Sequence, residues 1–348
     1  MGSVTRFFIG VDLHKTIIQI CVLDHLGNVL HEKRFLIYEL LQGAMVFDFL
    51  EPYRSCGRVA VEAIGLNRWF VNGLLERGFD VVVCDPAKLN LKMLGKKTDR
   101  KDALEIARRL LLGDIDRNAL TYYPNDEQYG KRRVVRARHK QVQMRQEIIN
   151  QIRAQLNAYK ITDFEGGLTG KKIISRLSCL ELGTQPQTDV LQSWISLLIS
   201  CNESIALLDQ SIKKISSEPL VRLVQNMLPS VGPLTASALV YELGDVTRFR
   251  NSRAVASFCG VVPRVNQSAD KAHHGRLTKR GSRGLRHILG EWAVRLMSSD
   301  ELVIKWAKPR LKRSHKNKVR MALARRLVIG VYKMLLTGEV FSMRRCLA

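Results

Sequence analysis

Three apolar runs within the first 37 residues, separated by only a few turn residues each, constrain this chain more than any other feature. FFIGVD (7–12), TIIQICVLD (16–24) and NVLHEKRFLI (28–37) are rich in β-branched and aromatic residues, and HLGN is a turn signal. Connections this short leave no room for a crossover, so the three predict an antiparallel meander. A helical pattern follows over 39–51. RVAVEA (58–63) reads as a strand and LNRWFVNGLLERG (66–78) as a helix ending at Gly78. FDVVVCDP (79–86) reads as a strand stopped by Pro86. DRKDALEIARRLLLG (99–113) reads as a helix with apolar spacing at Ala103, Ile106, Ala107 and Leu110.

The order βββαβαβα is that of an RNase H-like (RuvC-like) α/β domain with a mixed sheet, expected over 1–125. The same order opens actin-like sugar kinases and Hsp70 ATPases, so order alone does not decide chemistry. Residues 127–160 lack proline and read as a long polar helix. Paired with 190–216 across the Gly-rich GGLTG (166–170), it predicts a helical coiled-coil or dimerisation insert over 126–220. The remainder, 221–348, predicts a basic and mainly helical domain. In it MLPSVGPLTASALVYELG (227–244) resembles a helix-hairpin-helix, a turn at Gly232 and Pro233 preceding a helix over 235–243. Such a turn offers backbone N–H groups to phosphates, and it is equally an ordinary helical corner. Residues 251–260, 285–298 and 316–336 read as further helices, and 261–284 as a basic loop.

Charge narrows the partner. The net charge is +24, from 56 Lys and Arg against 32 Asp and Glu. Residues 248–348 alone hold 24 basic and 5 acidic residues, so most of the excess lies in the last hundred residues. An excess this large calls for a polyanion. The chain shows no run of 18 apolar residues and no amphipathic anchor, which predicts no membrane partner and leaves nucleic acid. Asp12, His14 and Lys15 interrupt any signal-peptide core. The seven cysteines are scattered without a CxxC pair, which predicts a reducing, cytoplasmic setting rather than a disulfide framework or zinc ribbon.

The near-neutral first part keeps the carboxylates that metal chemistry needs. Asp12 ends the first strand and Glu62 the fourth, and these strands are neighbours in an RNase H-like sheet. Asp99 and Asp102, three apart, share one face at a helix start. Each has a structural alternative: Asp12 could cap a turn, Asp99 is a natural N-cap, and Asp102 would reinforce it at N3. Jointly they predict a Mg2+ site, since Mg2+ prefers hard oxygen donors and two such ions stabilise attacking and leaving oxygens in phosphodiester transfer. Glu62 is the most informative, because VAVEA buries its neighbours and a carboxylate among them needs a partner or a cation. Lys96, Lys97, Arg100 and Lys101 surround the Asp pair and suit a nucleic-acid backbone.

In CGVVPRVNQSADKAHHGRLTKRGSRGLRHIL (259–289), glycines interleave with Arg264, Lys271, Arg276, Lys279, Arg280, Arg283 and Arg286. Small residues admit a phosphate and cations hold it. Ser268 is a hydroxyl in this cationic stretch. No Ser-His-Asp arrangement or G-x-S-x-G elbow accompanies it, so activation would fall to metal or arginine. Read alone it is a surface serine, and His273 and His274 read as solvated loop residues.

IGVDLHK, AVEAIG and KKTDRKDALEIARRL, followed by LPSVGPLTASALVYELGDVTRF, FCGVVPR and GRLTKRGSRGLRHIL, resemble the DEDD insertion-sequence transposases. That family includes Piv-type DNA invertases and bridge-RNA-guided serine recombinases. The likeness covers nearly the whole chain, weakest over 120–220. It implies that Asp12, Glu62, Asp99 and Asp102 are the metal-binding tetrad, served by Mg2+ with Mn2+ as a substitute. It implies that Ser268 attacks the DNA phosphate to form a phosphoserine. It also implies that Lys97, Arg100, Lys101, Arg264, Arg276, Lys279, Arg280, Arg283 and Arg286 grip nucleic-acid backbone. Two departures are Ala269, where many relatives carry Gly after the serine, and Ser282, where many carry Asn after KRG. The partners implied are donor and target DNA, a structured noncoding guide RNA, and further copies of the chain in a homodimer or homotetramer, in the bacterial cytoplasm at the nucleoid. The alternatives are a RuvC-like Holliday-junction resolvase or hydrolytic nuclease, and a nonenzymatic RNA-binding or DNA-architectural protein. An actin-like kinase fits less well, since its Gly-rich phosphate loops are missing.

Overall fold

The computed structural model describes residues 6–37, 40–85, 88, 98–164, 166–268, 271–278 and 281–348. The chain divides into two compact units, residues 1–123 and 124–348.

The first unit is built on a five-stranded mixed sheet of order β3-β2-β1-β4-β5. Its strands are β1 (Phe7–Leu13), β2 (Ile17–Asp24), β3 (Val29–Leu36), β4 (Gly57–Glu62) and β5 (Asp80–Cys84). The meander is antiparallel, and β4 and β5 add in parallel. The helices are α1 (Leu40–Leu50), α2 (Arg68–Glu76) and α3 (Asp99–Leu111). This is the α/β arrangement that the apolar runs predict.

Strand alternation divides the sheet between two cores. Ile9, Val11, Leu13, Ile18, Ile20, Val59 and Val61 pack with Val46, Phe47, Phe70 and Leu74 of α1 and α2. On the opposite face Cys21, Leu23, Ala60 and Val82 meet Ala103, Ile106, Ala107 and Leu110 of α3. Gly10 lets α3 lie directly on β1. A Cβ there would sit 2.1 Å from the Ala103 carbonyl oxygen and 2.4 Å from the Ala107 nitrogen.

The second unit is helical. Within it α4 (Asp126–Ala158) and α6 (Gln185–Ile215) lie side by side, linked through α5 (Lys171–Ser178). Arg138 pairs with Asp209 at 2.8 Å and Arg145 with Asn202 at 3.3 Å, so the two run antiparallel. Their seam holds Ile148, Ile152, Leu156, Leu191, Ile195 and Leu198. By length and composition α6 alone among the described helices could cross a membrane; one side of it faces this seam, while Val190, Leu197, Ile199 and Leu207 are exposed.

The remaining helices are α7 (Pro219–Met227), α8 (Pro233–Leu243), α9 (Ser252–Phe258), α10 (Arg283–Ser299), α11 (Glu301–Arg313), α12 (Lys316–Thr337) and α13 (Met343–Leu347). They enclose a core around Trp292, whose ring N–H donates to the Pro229 carbonyl at 2.8 Å. Every residue of α8 from Thr235 to Leu243 is buried. Where a basic loop was expected over 261–284, the chain forms a hairpin of β6 (Pro263–Ser268) and β7 (Lys271–Leu277). Its residues are mostly polar, so the apolar alternation that marks a strand is absent.

Candidate metal centre

β1 carries Asp12 one position before its end, on the face of Gly10 and therefore toward α3. Burial of Asp12 is nearly complete, at 4% exposed. Because α3 lies on β1 at Gly10, its N-terminus reaches the level of Asp12. Asp99 and Asp102 occupy the first and fourth positions of that helix. The structural alternative, that Asp99 caps the helix, does not hold. Thr98 is the N-cap, its hydroxyl accepting from the Lys101 amide. Asp99 and Asp102 are therefore not needed for capping, though both sit favourably at the positive end of the helix dipole.

Three donor atoms, from Asp12, His14 and Asp99, lie within 4.8 Å of one another. His14 Nε2 is 3.2 Å from Asp12 Oδ2 and 3.6 Å from Asp99 Oδ1. Burial holds the Asp12 carboxyl above the usual carboxylate range. The His14 ring opposes that shift, while the charges of Asp102 and Asp99 add to it. A desolvated carboxylate crowded by two others, with an imidazole bridging two of them, suits a hard divalent cation. The cation would replace the lost hydration and cancel the repulsion.

Of the four expected carboxylates, Asp12 and Asp99 come together with His14, and Asp102 is near enough for its charge to raise the Asp12 pKa; among the described residues neither Asp102 nor Glu62 belongs to the three-donor group. β1 and β4 pair in parallel up to Val11 and Val61, so Glu62 follows in the next register position, half-buried at the strand end. Glu62 pairs across to Cys84 of β5. Burial pushes the Cys84 thiol up to about 12, and the Glu62 charge adds to the shift.

Two neighbours escaped the sequence reading. His14 lies two residues after Asp12, and that period-2 spacing at a strand end was the available signal. Gln19 is the cross-strand partner of Asp12 and is 6% exposed; a glutamine inside the apolar TIIQICVLD run marks it.

The expected nucleic-acid contacts divide between the two units. Arg100 is bound to Glu32 of β3, and Lys101 is exposed in the first turn of α3. Lys97, Lys279 and Arg280 lie outside the described residues. Ser268 is the last residue of β6, paired across to Lys271 at the hairpin tip. The side chains of Ser268, Arg264 and Arg276 lie outside the described residues. Arg286 donates to the Gly260 carbonyl at 3.4 Å. Arg283, at the start of α10, lines a cavity of about 460 Å3 with Arg132, Arg136 and His139 of α4 and Glu242 of α8. Glu242 is 3% exposed and holds Arg136 through two bonds of 2.5 and 2.7 Å.

Residues 9–161 match the family model of the DEDD transposases of the IS110 type, and residues 223–308 match that of the transposases of the IS116/IS110/IS902 family. The chain is 26% identical to the transposase for insertion sequence element IS1111A of Coxiella burnetii, over 96% of this chain and 90% of that one. It is 27% identical to the transposase for insertion sequence element IS1328 of Yersinia enterocolitica, over 98% of this chain and all of that one. A probable family 20 transposase of Pseudomonas aeruginosa is 26% identical over 91% of this chain and 93% of its own length. With an RNase H-like sheet and an acidic cluster at its β1 end, the chain belongs to the DEDD insertion-sequence transposases, a family of DNA-processing enzymes.

Proposed function

We propose that this transposase cuts and rejoins DNA through a phosphoserine on Ser268, at a Mg2+ site held by Asp12, Glu62, Asp99 and Asp102. The observation that supports the metal part is the approach of donor atoms from Asp12, His14 and Asp99 to within 4.8 Å of one another, at a helix start whose cap is already supplied by Thr98. A divalent cation bound there supplies positive charge to the phosphate as charge builds on it. The chain's own residues do the rest. The buried Asp12 and the helix-borne Asp99 and Asp102 form a rigid acidic wall, and His14 fixes the orientation of two of the carboxylates. The Ser268 Oγ–P bond forms as the P–O3′ bond breaks, and the hydroxyl proton passes in net to the 3′ oxygen. The phosphodiester energy is retained in the adduct, so rejoining needs no ATP.

In this reading sequence choice resides in a structured noncoding RNA that pairs with donor and target DNA. The antiparallel pair α4 and α6 acts as a coiled-coil dimerisation element, so the serine serves an acidic site in its own or a sister subunit. The hairpin cations and the turn at Gly232 and Pro233 hold nucleic-acid backbone, contacts that position without reading bases.

The test is covalent trapping on a DNA carrying the element ends, with Mg2+ and with the RNA that co-purifies. The wild-type protein should yield a protein–DNA adduct, and S268A should lose both adduct and strand exchange. Continued cutting by S268A would favour a hydrolytic nuclease instead. Strand transfer that survives D12N and E62Q would exclude the metal site.

A further inference from the structure

We propose that the elbow joining α11 to α12 is a docking surface for the sugar–phosphate backbone of duplex DNA. It lies outside the basic stretch at 264–286 and mostly beyond the family-matched segment, which ends at residue 308.

Eight Lys and Arg residues and no Asp or Glu occupy the stretch from Lys305 to Arg320. Two are committed within the protein. Arg320 pairs with Glu291 at 2.8 Å and donates to the Gly290 carbonyl, and Arg310 stacks 4.3 Å from the Trp306 ring centroid. The other six are Lys305, Lys308, Lys312, Arg313, Lys316 and Lys318. All are exposed, and none pairs with a carboxylate among the described residues. Lys305, Lys308 and Lys312 recur at helical spacing on one side of α11, opposite the buried Val303 and Ala307. Lys308, Lys312 and Arg313 line a shallow concavity of about 350 Å3.

The helix order sharpens the imbalance. Arg310, Lys312 and Arg313 sit favourably in the last turn of α11. Ser314 then breaks the chain direction, and the first turn of α12 opens with Lys316 and Lys318 and no acidic residue. Those two lysines oppose the dipole of their own helix and crowd the cations before the break. Positive charge this dense, without counter-charge among the described residues, is matched by a polyanion.

The chemistry selects duplex backbone over single-stranded RNA. Single strands are held by bases stacked on exposed aromatic rings. The only aromatic residue of α11, Trp306, is half-buried, with Arg310 and Arg326 over its ring. A surface of flexible cations on a rigid helical corner touches phosphates and leaves bases alone. DNA is the substrate of the family, and this surface would hold it irrespective of sequence.

The test uses the full chain and fluorescence anisotropy with a duplex lacking element sequence, at several salt concentrations. The variant K308Q/K312Q/R313Q/K316Q/K318Q should bind more weakly to every duplex. The slope of log affinity against log salt should flatten by about 0.9 for each phosphate no longer neutralised. The charge-preserving K308R/K312R/K316R/K318R should bind like wild type. An unchanged salt slope in the first variant would overturn the proposal. So would equal losses in both variants, since that marks a structural role. A loss confined to single-stranded RNA would overturn it as well.

Discussion

Asp12 shows how a buried carboxylate, the residue on which the proposed metal site turns, weighs against stability. Burial raises its folded-state pKa, so the folded protein prefers it protonated. Without divalent cations, that preference makes stability fall as pH rises from the ordinary carboxylate range through the folded value. Above that value the penalty is constant. The variant D12N removes the ionisation and so should melt higher than wild type at neutral pH in chelator, with the difference vanishing at acid pH. Mn2+ or Mg2+ should raise the wild-type melting temperature and leave that of D12N unmoved. Thermal melts at two pH values, with and without the cation, check both points; a D12N protein that melts lower at neutral pH contradicts the account. Asp12 was legible because a carboxylate ends an apolar strand. His14 was not, since a histidine followed by a lysine at a strand exit looks solvated, and only the approach of Asp99 makes it a bridge.

At the scale of elements, the site depends on where α3 crosses β1. Gly10 sets that crossing, and its neighbours are backbone atoms of the helix, which cannot move aside singly. G10A should therefore displace α3, separate Asp99 and Asp102 from Asp12, and destabilise the first unit by about 1–3 kcal/mol or more through overpacking. T98A should lower stability by about 1 kcal/mol through loss of the cap while leaving the crossing intact. Denaturant unfolding with parallel assays of strand transfer separates the two, since G10A should abolish activity and T98A should only weaken it. Equal retention of activity in both would show that α3 does not set the site. The β-strands and the start of α3 were readable because apolar runs and turn residues agree with the tertiary core. The β6–β7 hairpin was not, because strands made of Arg, Asn, Gln, His and Lys carry no apolar period. Helix α11 was missed for a related reason. Pro309 lies inside it, and its charged face hides the short Val303–Ala307 stripe that buries it.

For the molecule as a whole, the division of charge follows the division into units. Residues 1–123 carry 17 basic and 15 acidic residues, whereas 124–348 carry 39 and 17. The first unit is close to neutral and its difficulty is local, a buried Asp12 with Asp99 and Asp102 raising its pKa. The second unit carries a net charge of +22, 39 basic less 17 acidic residues, and Arg136 is one of the cations neutralised inside it, by Glu242. Two compact bodies with such different electrostatics should not respond alike to solution conditions. Monovalent salt screens long-range repulsion within about 10 Å at 0.1 M, so it should raise the unfolding temperature of the second unit and barely move the first. Duplex DNA should do the same at far lower concentration, because it neutralises many cations at once and binds only the folded surface. Mg2+ at concentrations too low to screen should act in the opposite sense, raising the first transition and not the second. Calorimetry resolves these shifts when the assignment of each transition is made with G10A, which should lower only the first. If salt, DNA and Mg2+ all moved the same transition by similar amounts, the two units would not be separate electrostatic bodies, and the assignment of metal chemistry to one and backbone binding to the other would fail.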